Sequence, residues 1–164
     1  MELWDQKMDS YTQSLERLES AELANIAFDA IEAMIPLLGL PLDEFFPPSR
    51  AALIESTLHF RHDRPADWHL DYEFAQNFLA KCDELPNVAL RPAVGPFFMA
   101  LVRLFEAPPR SASADDAMEI LSSCYESVLM SQLTGRVTLE DERNSSPCVA
   151  AIDQQIKIIG AALR

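Results

Sequence analysis

Glycine is scarce, with four residues in a chain of 164. Phosphate-cradling loops need glycines at fixed spacing, and neither G-x-G-x-x-G nor a P-loop occurs. Lysine is scarcer still, confined to Lys7, Lys81 and Lys157. The three cysteines, Cys82, Cys124 and Cys148, are odd in number and share no short spacing, so they write neither a zinc-ligand pattern nor a disulfide framework. Each falls on an apolar helical stripe, which predicts buried free thiols in a reducing cytoplasm. No G-x-S-x-G elbow and no H-E-x-x-H pair appears. The opening MELWDQKMD is acidic and lacks the basic and apolar regions of a secretory leader. No apolar run approaches the ~20 residues that span a bilayer. No segment alternates as a half-buried strand does. Together these absences argue against an enzyme, against a cofactor or bound metal, and for a cytoplasmic helical protein.

What is abundant is negative charge. Twenty-six Asp and Glu face thirteen Lys and Arg, a formal net charge of −13. Such a surface repels phosphate backbones and anionic membranes, which argues against nucleic-acid and membrane partners. It attracts and steers a basic protein. Solubility alone also favours an acidic surface.

Apolar residues are 49% of the chain and charged residues 24%, a balance that fits one packed domain of this length. Ala93 to Phe105, AVGPFFMALVRLF, carries Arg103 as its one charge. A helix apolar all round belongs in the middle of a bundle. The chain therefore predicts an all-α, single-domain helical bundle of about six to seven helices around a central helix at 93–105. A first helix is expected over Leu3–Leu18, and a second over Ala21–Leu38 capped by Ser20. Leu40–Pro48 reads as a connector whose Phe45 and Phe46 tuck into the core. Ser49 would cap a third helix reaching Phe60, and a fourth would run from Pro65 or Ala66 to Glu84. Pro108, Pro109 and Ser111 break the chain. Ser113 with Asp116 is a capping-box-like start for a sixth helix, and Gly135 is its expected stop. Arg136–Ser145 reads as a polar surface loop, followed by a last helix capped by Ser146 with Pro147 at its first position. The first helix is too short for a free coiled coil, though the sequence is compatible with a homo-oligomer.

Three histidines, His59, His62 and His69, fall close together among acids. His59 and His62, three apart, could share a helix face and hold a metal with a carboxylate. Pro65 interrupts that register, and a solvated connection with His and Arg paired to carboxylates is the favoured reading. Two acidic clusters stand out as binding surfaces for a basic partner: Asp67, Asp71 and Glu73, and Glu140, Asp141 and Glu142. A solvated charge run is the plain reading of either cluster taken alone.

Tyr11 to Pro36, with L-E-R-L-E-S at Leu15–Ser20, the Ala27-Phe28 pair, Glu32 and the closing Pro36, resembles a bacterial helical family, domain of unknown function 416. A second match runs from Ser113 to Gly135 and into the final helix. The two cover about half the chain, and Ala21 and Glu22 stand where that family would place an aromatic. The resemblance implies a helical fold and brings no activity or catalytic residues. In composition the chain is also similar to immunity proteins, small acidic helical proteins that bind and block a cognate toxin, often a basic nuclease. That likeness makes a cognate protein toxin the expected partner. A housekeeping or regulatory interaction is the alternative.

Overall fold

A computed structural model describes residues 1–65, 68–106 and 112–164. Every regular element among them is helical. The long ones are α3 (Ser20–Met34), α5 (Pro48–Asp63), α6 (Tyr72–Asp83), α7 (Val94–Glu106), α8 (Ala114–Gln132) and α10 (Ser146–Ala162). Shorter pieces are α1 (Glu2–Met8), α2 (Thr12–Leu15), α4 (Leu42–Phe45) and α9 (Leu139–Asn144). The all-α expectation holds; the ten α-helical pieces among the described residues are somewhat more than the six to seven expected, because short pieces such as α2, α4 and α9 add to the long ones.

The helix at the middle is α8. Its apolar stripe, Ala117, Ile120, Leu121, Cys124, Tyr125 and Val128, is buried, and α3, α7 and α10 pack around it. This corrects the central role expected for 93–105. α7 buries Phe97, Ala100, Leu101, Leu104 and Phe105, yet Met99 is 59% exposed and Phe98 and Val102 are half-buried. Its neighbours α8, α6 and α3 leave one side open, so it is a flanking helix with an unusually apolar outer face. Phe45 and Phe46 are buried as expected, with Phe46 against Phe97 at 5.1 Å between ring centroids. An aromatic chain runs from Phe28 through Trp68 and Phe105 to Phe78, with centroids 5.0, 6.2 and 4.6 Å apart. It joins α3 and the short helical turn Trp68–Leu70 to α7 and α6.

Several boundaries move for local reasons. The expected first helix is broken, because a 3₁₀ turn at Asp9–Tyr11 separates α1 from α2. Asp9, Ser10 and Thr12 all compete with helical backbone bonds. Glu19 takes the cap position of α3, its N–H donating to the Glu22 carboxylate at 2.9 Å. The Ser20 hydroxyl is spent elsewhere, donating to the Ala112 carbonyl at 2.9 Å. α5 starts at Pro48, ahead of Ser49, as the fixed φ of proline at the first helical position favours. α6 starts only at Tyr72, where the Asp71 carboxylate accepts the Phe74 N–H at 2.8 Å. The Ser113–Asp116 capping box of α8 forms as expected. α8 ends at Gln132, and Gly135, at φ 80°, turns the chain beyond it. Ser145, one residue before the expected Ser146, caps α10. The expected start at Ala66, the acid Asp67 and the break at Pro108, Pro109 and Ser111 lie outside the described residues.

Candidate functional site

Residues 59–65 and 68–71 form a polar clasp between α5, α3 and the turn Trp68–Leu70. Arg61 reaches back to α3, donating to Asn25 Oδ1 at 3.1 Å and pairing with Asp29 at 3.4 Å. Its guanidinium lies 5.7 Å from the ring centroids of both Phe28 and Trp68, a contact that favours a planar cation. Asn25 Oδ1 also accepts the Trp68 indole N–H at 2.8 Å. Burial pushes the Asp29 carboxyl up from its ordinary range, and the Arg61 charge opposes that shift. His59 Nδ1 donates to the Glu55 carbonyl at 2.8 Å, and His62 Nε2 donates to Glu32 at 2.7 Å. His69 is buried, with its ring 6.0 Å from that of Trp68. The three histidines thus have separate surroundings. Among the described residues no three His, Cys, Asp or Glu side chains gather as metal ligands.

The expected acids have different fates. Asp71 is half-buried, caps α6 and pairs with Arg64 at 2.7 Å. Glu73 is exposed in the first turn of α6. Glu140 and Asp141 are exposed at the start of α9. Asp141 belongs to the cap, accepting the Thr138 N–H at 2.9 Å and the Thr138 hydroxyl at 2.6 Å, and these bonds hold its carboxyl below the usual range. α6 packs on α7, whereas α9 packs on α1 and α10, so Glu73 and Glu140 sit on different parts of the bundle.

Glu142 requires a correction. It was expected on a surface loop, but Arg136–Ser145 contains α9, and Glu142 is 2% exposed. Its carboxylate accepts the Tyr125 hydroxyl at 2.6 Å and the backbone N–H groups of Glu2 at 2.9 Å and Leu3 at 3.2 Å. It therefore satisfies the first free donors of α1 from a distant part of the chain, a capping role filled by a tertiary contact. Burial and the bond to Glu142 raise the Tyr125 phenol above its usual range. A carboxylate so enclosed presents nothing to a partner. Sequence reasoning missed this because its donors lie near the N-terminus and on α8. The same docking sets Glu2 and Asp5, exposed in the first turn of α1, on the element packed against α9.

Of the acids in the described residues, Glu142 alone is buried. The ion pairs there engage Glu142, 3.9 Å from the Met1 ammonium, and five acids nearer the surface: Asp29, Glu32, Asp71, and Asp116 with Glu119 around Arg103. The remaining carboxylates face solvent or line surface grooves without a cationic partner. No helix of the described residues is long and apolar enough to cross a membrane. Cys82, Cys124 and Cys148 are free thiols; burial raises all three above the ordinary thiol range, Cys82 to about 11 with Asp83 contributing. Comparisons with protein-family models, with curated proteins and with solved structures gave no match to this chain.

Proposed function

We propose that this chain is a binding protein of the immunity type, which neutralises a basic partner toxin by protein–protein contact through its acidic surface. The observation that carries this reading is the display of the charge. A net −13 stands almost wholly on the surface, and few of those carboxylates are paired within the fold. An unpaired acidic surface steers a cationic protein into contact and can occupy a cleft built for phosphates. Glu73 and Glu140 are the members of the two expected clusters best placed for such contacts, being exposed and outside every ion pair of the described residues. Asp71 and Asp141 hold caps as well, and Glu142 is withdrawn.

The experiment is a pull-down with the product of the neighbouring gene in the native host, followed by association kinetics. Glu73→Lys and Glu140→Lys should slow association at low salt. The wild-type on-rate should fall as the Debye length shrinks from roughly 30 Å at 0.01 M to about 8 Å at 0.15 M. A complex indifferent to both salt and charge reversal would remove the electrostatic basis of the proposal.

A further inference from the structure

We propose that the cavity between α1, α9 and α10 binds a small organic monoanion with an apolar body, of the class of medium-chain carboxylic acids. This goes beyond the toxin reading and does not depend on it. The cavity holds about 430 Å³, within the roughly 300–1,000 Å³ of small-molecule sites. Two helices line it in the same way. Leu3, Gln6 and Lys7 of α1 are spaced i, i+3, i+4, and so are Val149, Ile152 and Asp153 of α10, so each triplet shares one helix face. Leu3 and Ile152 are buried and Val149 is half-buried, whereas Gln6, Lys7 and Asp153 are exposed. α9 adds Arg143, also exposed, which donates to Gln6 Oε1 at 3.5 Å. The result is an aliphatic floor under a charged rim.

Charge selects the ligand. The rim sets two cations, Lys7 and Arg143, against one carboxylate, Asp153, a local positive excess on a chain with twice as many acids as bases. Among the described residues none of the three is in an ion pair, so nothing in the fold neutralises the two cations. The cavities beside α6 differ: Lys81 is matched by Glu84 in one, and Asp83 with Glu106 outnumber Arg50 in the other. Distant carboxylates weigh little at this rim, since exposed charges farther apart than about 8 Å are largely screened at 0.15 M salt. A single negative charge balances the rim. A dianion, such as a phosphate monoester, would bring surplus charge beside Asp153, and a cation would meet two like charges. The Arg143 fork suits a carboxylate, which it can hold by two parallel hydrogen bonds. The apolar body then fills the space over Leu3, Val149 and Ile152, out of water. An apolar monoanion meets the demands of both floor and rim.

The test uses 8-anilinonaphthalene-1-sulfonate, an apolar monoanion that fluoresces when it leaves water, titrated with the folded full chain. Decanoate, 1-decanol and decylammonium, all below their aggregation limits, compete for it. The probe should bind saturably, and decanoate should displace it at concentrations several-fold lower than either of the others. Lys7→Gln and Arg143→Gln should each weaken decanoate roughly two- to fivefold, and the double variant roughly tenfold. Asp153→Asn should tighten it roughly two- to fivefold, while Glu73→Gln, the same loss of charge on distant α6, should change it by less than about 1.5-fold. Val149→Asp should weaken all three competitors roughly tenfold, and Val149→Thr serves if that variant melts early. No saturable binding overturns the inference. So does displacement by decanol or decylammonium as good as that by decanoate, or indifference to the rim variants. Equal tightening by Asp153→Asn and Glu73→Gln also overturns it, because overall charge and not this rim would then govern binding. The acidic-surface proposal fails separately, on a native partner complex that ignores salt.

Discussion

At the scale of single residues, two neighbours in sequence behave oppositely. Glu140 is exposed, whereas Glu142 is enclosed by Tyr125 and the first turn of α1. Glu142→Ala strands a buried hydroxyl and two backbone donors, so it should lower the unfolding free energy by about 2–4 kcal/mol. Glu140→Ala should stay within about 0.5 kcal/mol of wild type. Urea denaturation compares them, and equal effects would contradict the buried network. Asp116 gives a pH test. Burial raises its carboxyl, but bonds with Ser113 and the Arg103 charge outweigh that and leave it below the usual range. A depressed folded pKa means stability that is present above the unfolded value of about 4 and is lost as pH falls through the folded one. Asp116→Asn should therefore flatten part of the decline in stability below about pH 5. An unchanged acid limb would show that the pairing contributes nothing.

At the scale of elements, the exchange of roles between α7 and α8 is measurable. Leu121 on α8 and Leu101 on α7 are both fully buried, and truncation of either to Ala should cost about 2–5 kcal/mol. Met99, on the outer side of α7, should tolerate Ala within about 0.5 kcal/mol. A large cost at Met99 would mean that α7 is enclosed all round after all. The difference arises because Gly95, Met99 and Arg103 recur four apart along α7, a stripe that no long helix covers completely. Periodicity alone makes this helix look central, since its exposed stripe carries one cation, Arg103, which is in turn paired with Asp116 at 2.8 Å and Glu119 at 3.1 Å of α8.

At the scale of the whole molecule, the surplus of carboxylates repels itself in the folded state. The free protein should melt higher as sodium chloride rises from about 0.01 to 0.2 M, because screening relieves that repulsion more than it weakens the few surface pairs. Calorimetry or circular dichroism at matched pH reads the shift. A midpoint that falls with salt would mean that attractive pairs outweigh the repulsion, and the charges would then have less to offer a partner.

Much of this protein was set by local sequence. The helical periods, the Ser113–Asp116 capping box and the buried Phe45 and Phe46 follow from residues a few positions apart, and the acidic balance from composition alone. Local rules suffice there because backbone bonding and amphipathicity act over one or two turns. Tertiary structure decided what depends on distant chain segments meeting. It enclosed Glu142 under α1, made α8 the packed centre, and clasped Arg61 and Trp68 onto Asn25 of α3. No period or spacing records such meetings, since each is fixed by how whole helices share one core.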